Sequence, residues 1–175
     1  MDNLIIDIDG TLLNGTHELN NASSFIRHLE TTGRNYLLAT NSIKSHDVQV
    51  KRFRDIGVSV LPDRIFSPID SINSFITKRD ISNVMIIGSD DEVNQIHAFQ
   101  SYDTPELIIL LDFEKRNLAY NDLQMIINAV ESGCPMISAS ASLFYFKNGR
   151  KQIDTGAFVL LIESISNSKV EILGK

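Results

Sequence analysis

The chain has 175 residues, of which 43% are hydrophobic and 22% charged, a composition that indicates one folded domain or two small ones and excludes disordered and low-complexity classes. Its net charge of −6 has the wrong sign for a protein that binds nucleic acid by neutralising phosphates. The single cysteine, Cys134, excludes an internal disulfide. The longest aliphatic run, residues 107–111, is far below the roughly 20 residues that span a bilayer, and the N-terminus lacks a secretion signal. A cytoplasmic location is therefore expected.

Short apolar runs and helical patterns alternate through residues 1–82. The first helix is predicted to begin at an N-cap asparagine, Asn20 or Asn21, and to end at Gly33. A later one begins at 67–70, where a serine N-cap, a proline at the first helical position and an acidic residue follow one another. The predicted elements are a strand at 3–8, a helix up to 33, a strand at 36–40, a helix at 45–56, a strand at 58–61 and a helix at 67–78.

The same alternation begins again at Asn83, after a charged stretch at 78–83 that we interpret as a hinge between two units. Alternating strands and helices predict an α/β fold, in which parallel sheets carry helices on their faces. The predicted elements of this second part are a strand at 84–87, a helix at 91–99, a strand at 107–111, a helix at 121–132, a strand at 136–138, a turn at 147–150, a helix at 156–165 and a strand at 170–173.

Two carboxylates separated by one residue, Asp7 and Asp9, end the first predicted strand. Gly10 allows a turn with positive φ and a close approach to a ligand, and Thr11 adds a hydroxyl and a backbone N–H. Acidic side chains alone would repel a phosphate, but a bound Mg²⁺ prefers carboxylate and carbonyl oxygens and inverts the local charge. A lone Asp-x-Asp is more often a surface turn. Here the pair follows an apolar strand and is followed by Gly-Thr-Leu, and this context favours a functional site over a surface turn.

A second polar segment, Thr40-Asn41-Ser42, follows the second predicted strand. Ligands of parallel sheets bind beyond the carboxyl ends of the strands, so the two polar segments are predicted to share one site. By contrast, Lys51, Arg52 and Arg54 lie on a helical segment with acidic neighbours, and we interpret them as a solvated face. The four histidines have no ligand spacing.

Residues 4–13, with the pattern Asp-Ile-Asp-Gly-Thr-Leu after an apolar strand, resemble the first motif of the haloacid dehalogenase superfamily of phosphohydrolases. Residues 36–42, followed by Lys44 and Ser45, resemble its second motif in the form used by the class IIA branch. That branch contains nucleotide, sugar-phosphate and p-nitrophenyl phosphatases. The resemblance implies a Rossmann-like parallel-sheet core, incomplete here, with an inserted α/β cap domain.

Weaker similarities extend this resemblance over the whole chain. Residues 62–67 match the class IIA branch, and Gly156-Ala157 at a predicted helix start, followed by Gly174-Lys175, is similar to the approach to the third motif. The implied domains are the first half of the core at 1–82, the cap at 83–155 and a return to the core at 156–175.

The resemblance implies a Mg²⁺-dependent phosphatase that hydrolyses a small phosphorylated metabolite, such as a sugar phosphate or nucleotide, through an aspartyl-phosphate. Asp7 would be the nucleophile, and Asp9 the general acid and base. Thr40 would hydrogen-bond a phosphoryl oxygen, and Lys175 would neutralise charge on Asp7 and the phosphoryl group. The Asp7 carboxylate and the Asp9 backbone carbonyl would hold Mg²⁺. The implied substrate-binding residues are Gly10, Thr11, Asn41 and Ser42.

The expected partner is a small phosphorylated substrate, with neither nucleic acid nor membrane, and homo-oligomerisation through the cap is left open. Within the implied cap, residues 138–142 read Ser-Ala-Ser-Ala-Ser where the family often has an Asn and an Asp. This departure leaves the identity of the substrate open.

The superfamily's fourth motif, a Gly-Asp pair followed by another Asp, has no counterpart in the 175 residues. We therefore hypothesise a fragment or a natural truncation, with weak Mg²⁺ binding and little turnover. Two alternatives stay open. A phosphoacceptor receiver-like signalling domain also groups acidic residues, a Thr or Ser and a Lys around Mg²⁺, although its acceptor follows a middle strand. The other is a catalytically impaired remnant that binds a ligand or partner through the cap.

Overall fold

The structure is a computed structural model that describes residues 3–112, 119–147 and 149–174. Its chain divides into two compact units, Met1–Ser67 and Pro68–Lys175. Both are built around parallel sheets, which confirms the predicted α/β fold class. Within the described stretches, no helix is both long enough and apolar enough to cross a membrane.

The first unit is a small parallel sheet with two helices and a hairpin. The sheet has the order β1-β4-β5, and β1 and β4 are paired in parallel from Leu4 opposite Tyr36 to Asp7 opposite Ala39. Strands β2 and β3 form the antiparallel hairpin. The elements are β1 (Leu4–Asp7), β2 (Leu13–Asn14), β3 (His17–Glu18), α1 (Ala22–Thr31), β4 (Tyr36–Ala39), α2 (His46–Asp55), a 3₁₀ turn (Pro62–Arg64) and β5 (Ile65–Phe66).

The core of this unit joins the loop after β1 to both helices. Its largest fully buried side chains are aliphatic or aromatic and come from the loop, the hairpin, α1, β4 and α2. Apolar area removed from water stabilises such a core by about 25 cal/mol per Å². The largest fully buried side chains are Ile8, Leu13, Ile26, Leu29, Leu38 and Phe53.

Helix α1 begins after Asn21, as predicted, but the side-chain hydrogen bonds at its N-terminus come from a residue of the preceding strand. Asn20 and Asn21 both have positive φ, at 51° and 56°, and the Asn21 side chain makes no cap hydrogen bond. Instead, Ser23 donates its backbone N–H and its hydroxyl to Glu18 Oε1 at 2.8 and 2.7 Å. These two bonds lower the pKa of the Glu18 carboxyl and tie the hairpin to the helix.

The predicted strand at 58–61 is wrong, since the partner of β4 is β5. Leu38 pairs with Ile65, and Ala39 with Phe66. Val58 and Val60 are buried at alternate positions, as in a strand, but the segment forms no ladder. Burial in the core produced the alternation without sheet pairing.

The second unit contains a larger sheet of the order β12-β9-β8-β6-β7, with every neighbouring pair parallel. Strands β10 and β11 form a separate antiparallel hairpin around the predicted turn. The elements are α3 (Pro68–Arg79), β6 (Asn83–Ile87), α4 (Asp90–Val93), β7 (Phe99–Gln100), β8 (Leu107–Leu110), α5 (Tyr120–Glu131), β9 (Met136–Ser138), β10 (Phe144–Lys147), β11 (Arg150–Ile153), α6 (Thr155–Ser166) and β12 (Glu171–Ile172).

In this division helix α3 and residues 156–174 belong to the second unit, whereas the domains at 1–82, 83–155 and 156–175 stay a prediction. The Asn73 side chain donates to the Gln95 carbonyl and accepts from the His97 N–H, both at 2.9 Å, which attaches α3 to the elements that follow it. Strand β12 pairs with β9 rather than with the first sheet. These contacts are tertiary, and the charged stretch at 78–83 carried no sign of them.

The predicted helix at 91–99 is also too long. Helix α4 ends at Val93, and β7 follows at Phe99. The α4 N-terminus is held by the buried Glu92, whose Oε2 accepts the Ser89 N–H at 2.8 Å. The local sequence therefore supports a single helical turn. At the end of the predicted helix, the chain instead pairs as β7 with β6.

Candidate active site

The carboxyl ends of β1 and β4 bring the two polar segments together, as predicted. Asp7 and Ala39 are partners in the parallel ladder, so the residues that follow them lie side by side. The Thr40 hydroxyl donates to Asp9 Oδ2 at 2.7 Å. The first unit therefore contains one acidic site built from both segments.

The loop after β1 is a tight turn around the Ile8 carbonyl, which accepts the N–H groups of Leu12 and Leu13 at 2.9 Å. Gly10 has φ +84°, which confirms the predicted positive φ, and its N–H donates to the Leu13 carbonyl at 2.8 Å. An L side chain rarely adopts this φ, so glycine is required here by backbone conformation. The turn leaves the Asp9 side chain 45% exposed.

Asp7 is half-buried at the end of β1, and the Thr11 hydroxyl donates to its Oδ2 at 3.0 Å. A hydroxyl bound to one carboxylate oxygen restricts rotation of the carboxylate plane. Asp7 and Thr11 are thus in direct contact within one turn.

Thr40 is 3% exposed, and its hydroxyl both donates and accepts a hydrogen bond. The oxygen accepts the Ser42 N–H at 2.9 Å, while the single proton goes to Asp9. Asn41 and Ser42 are half-buried, and Ser42 Oγ accepts the Lys44 N–H at 3.4 Å. A hydrogen bond from Thr40 to a phosphoryl oxygen would require its proton to turn away from Asp9.

Arg52 is a site residue that the sequence reasoning missed, and its interpretation as part of a solvated face is wrong. Lys51 and Arg54 are exposed, but Arg52 is 6% exposed. Its Nη2 lies 2.7 Å from Asp9 Oδ1. Helical spacing could have indicated its burial, because Arg52 lies on the same face of α2 as Phe53. Gln49, Arg52 and Phe53, at i, i+3 and i+4, are the buried residues of α2.

Asp7 and Asp9 are the carboxylates that the described site offers to a cation. Over residues 3–112, 119–147 and 149–174, no cluster of three or more His, Cys, Asp and Glu side chains is arranged to hold a metal ion. Lys175, the predicted third-motif lysine, lies outside the described residues. The site therefore combines two acidic side chains with one buried guanidinium.

Comparison with known proteins finds relatives by sequence and by fold. An acid sugar phosphatase of Staphylococcus epidermidis is 23% identical over 176 residues, which cover 98% of this chain and 68% of that protein. The 4-nitrophenylphosphatase of Thermotoga maritima shares the fold at a TM-score of 0.87 and 18% identity, over 99% of this chain and 67% of that one. NagD from E. coli K-12 also shares the fold, at a TM-score of 0.87 and 20% identity, over 99% of this chain and 69% of that one.

The chain thus spans about two thirds of the length of these proteins. The two solved structures share the predicted fold. Residues 4–100 match the family of haloacid dehalogenase-like hydrolases, and the chain belongs to that family.

Proposed function

We propose that this chain carries the phosphoryl-transfer site of a Mg²⁺-dependent phosphatase that acts on a small phosphorylated metabolite through an aspartyl-phosphate. The observation that carries the proposal is the junction of the two strand ends, where Thr40 bonds to Asp9 at 2.7 Å one turn from Asp7. The names of the acid sugar phosphatase and the 4-nitrophenylphosphatase support the same class of reaction.

Asp7 is the proposed nucleophile. Asp7 is the last residue of β1, which pairs with β4 in a defined parallel register. The Thr11 hydroxyl orients the Asp7 carboxylate. In-line attack on phosphorus forms an O–P bond as the bond to the leaving oxygen breaks, which divides one hydrolysis into two steps. A rigid carboxylate favours this reaction because phosphoryl transfer depends mainly on positioning and electrostatics.

Asp9 is the proposed general acid and base. Its 45% exposed side chain is open to a leaving group and to water, while Thr40 and Arg52 hold its two oxygens. In the first step it would give a proton to the leaving oxygen. In the second it would take one from the water that attacks the aspartyl-phosphate.

The oxygen donors present fit Mg²⁺, which is commonly bound by one or two carboxylates and keeps several waters. The Asp7 carboxylate and the Asp9 backbone carbonyl would hold it. When bound, the cation supplies positive charge beside the transferred phosphoryl group. Lys175 is proposed to add a second positive charge.

A ligand-binding protein without turnover is the second candidate. The observation that favours it is the absence of a third acidic partner beside Asp7 and Asp9 among the described residues. A receiver-like domain fits less well, because β1, which carries the acidic pair, is at one end of the order β1-β4-β5 rather than in its middle.

Release of p-nitrophenol from p-nitrophenyl phosphate by the 175-residue chain, with Mg²⁺ and then with a chelator, tests the proposal. Asp7→Asn should remove the Mg²⁺-dependent rate, whereas Asp55→Asn, at an exposed position on α2, should retain it. Equal rates for wild type and Asp7→Asn would overturn the phosphatase assignment.

A further inference from the structure

We propose that Arg52 is a positioning residue for the acid–base carboxylate, which it fixes by joining Asp9 to the turn of the β2–β3 hairpin. This inference rests on the proposed function, because it assigns Arg52 a part in the work of Asp9. None of the motifs at the strand ends includes Arg52, which lies on α2, 43 residues from Asp9.

The burial of Arg52 indicates that its charge is used. A guanidinium is rarely placed out of water unless it is paired and hydrogen-bonded, since the loss of hydration costs several kcal/mol. Arg52 is 6% exposed on a helix whose adjacent Lys51 and nearby Arg54 remain in solvent. A basic side chain that only covered the helix surface would be exposed to solvent, as those of Lys51 and Arg54 are.

Four of the five guanidinium N–H groups of Arg52 are committed to three partners. Nη2 donates to Asp9 Oδ1 at 2.7 Å and to the Gly15 carbonyl at 2.8 Å. Nε donates to the same carbonyl at 3.0 Å. Nη1 donates to Gln49 Oε1 at 2.6 Å, so the plane of the group is fixed from its own helix.

Asp9 needs such support because of where it lies. Its side chain is 45% exposed, and it directly precedes Gly10, which has a positive φ. Arg52 binds Oδ1 from α2, and Thr40 binds Oδ2 from the end of β4. These two donors fix the carboxylate plane between two rigid elements, as precise proton transfer requires.

The Gly15 carbonyl makes the arrangement more than an ion pair. Gly15 lies in the turn between β2 and β3 and has φ +61°. Because one Nη2 atom serves both Gly15 and Asp9, a displacement of the hairpin changes the donor available to the carboxylate. A lysine has one point-like ammonium group and does not reproduce the planar fork.

The leaving group of the substrate separates a positioning role from a purely structural one. Phenyl phosphate requires protonation of its leaving oxygen, whereas p-nitrophenyl phosphate has a far better leaving group. For Arg52→Gln we expect kcat/KM to fall about 10- to 100-fold on phenyl phosphate and only about 3-fold or less on p-nitrophenyl phosphate. Arg52→Lys should recover part of the loss, and Arg54→Gln should match wild type. Equal losses on both substrates would overturn the proposal.

A measurement that needs no turnover keeps the proposal testable if Arg52→Gln does not fold. The guanidinium N–H signals of Arg52 should be protected from exchange in the NMR spectrum of the full chain. Asp9→Asn should shift them, and Asp7→Asn should leave them in place. Unshifted signals in Asp9→Asn would contradict the contact. Full activity of Asp7→Asn, by contrast, would overturn the phosphatase function while the Arg52 signals still report on Asp9.

Discussion

The Thr40 hydroxyl gives its one proton to Asp9 Oδ2 at 2.7 Å while its oxygen accepts the Ser42 N–H at 2.9 Å. This residue therefore does two separate things: it shapes the turn after β4 and orients the carboxylate after β1. Valine has nearly the same shape as threonine but no hydroxyl. A Thr40→Val variant therefore separates the role of the hydroxyl from that of side-chain packing.

Thr40→Val should slow phosphoryl transfer to substrates with poor leaving groups by about 10-fold or more, because Asp9 Oδ2 loses its donor. The loss of one hydrogen bond to a carboxylate and one neutral hydrogen bond should cost about 2–4 kcal/mol of unfolding free energy, which urea denaturation measures. Thr40→Ser keeps the hydroxyl and should retain most of the rate. A rate that is unchanged in Thr40→Val would show that Thr40 serves the turn alone.

Mg²⁺ binding should be weak and should depend on Asp7. Two protein oxygens leave most of the coordination shell to water, and Mg²⁺ sheds water reluctantly. In calorimetric titration of the chain, Asp7→Asn should abolish the heat of Mg²⁺ binding, whereas Asp55→Asn should leave it unaltered. Tight stoichiometric binding, or binding that survives Asp7→Asn, would contradict the site.

The strand ends and the acidic pair could be predicted from the sequence because both are local. Apolar runs of four to eight residues read as buried strands, and Asp7 and Thr40 lie at the carboxyl ends of two of them. Their adjacency then follows from parallel pairing alone. The positive φ of Gly10 was equally local, since a turn between a strand and a polar ligand site selects glycine.

Arg52 could not be found in this way, because its partners are distant in sequence. Its Gly15 and Asp9 contacts span 37 and 43 residues, and a basic residue with acidic neighbours is normally solvated. Nor was the end of the first unit predictable. The hydrogen bonds of Asn73 to Gln95 and His97 attach α3 to the second unit, and no composition shift marks them.

The start of α1 should weaken in acid. Hydrogen bonds from the Ser23 hydroxyl and N–H lower the pKa of Glu18 in the folded state. A carboxyl with a lowered folded pKa contributes stability above its unfolded pKa, and that contribution is lost as pH falls through the folded value. The loss should therefore occur below about pH 4.

The Ser23 amide resonance, followed by NMR through this range, reports the titration of Glu18 directly. Ser23→Ala removes the hydroxyl bond, the larger of the two contributions that lower the Glu18 pKa. The titration midpoint seen at the residue 23 amide should therefore move to higher pH. Ser24→Ala, at the exposed neighbouring position, should not. Identical midpoints in wild type and Ser23→Ala would refute the cap.

Gly156 should be the least replaceable glycine of the second unit. A Cβ at this position would lie 2.2 Å from the Ala141 carbonyl oxygen and 2.7 Å from that of Ser142, and both are backbone atoms. Its own N–H donates to the Ser142 carbonyl at 2.9 Å, while the neighbouring Thr155 hydroxyl is buried against the Leu111 carbonyl at 2.7 Å. These contacts hold the helix start on two sides.

Gly156→Ala should therefore destabilise the chain by about 3 kcal/mol, at the upper end for overpacking, although alanine favours a helix over glycine by about 1 kcal/mol. Ser164→Ala, at an exposed position on the same helix, is the matched control and should change stability by less than about 1 kcal/mol. Urea denaturation of both variants makes the comparison. A Gly156→Ala chain as stable as wild type would show that the 141–142 backbone shifts to admit a methyl group, and that the close approach is not required by the fold.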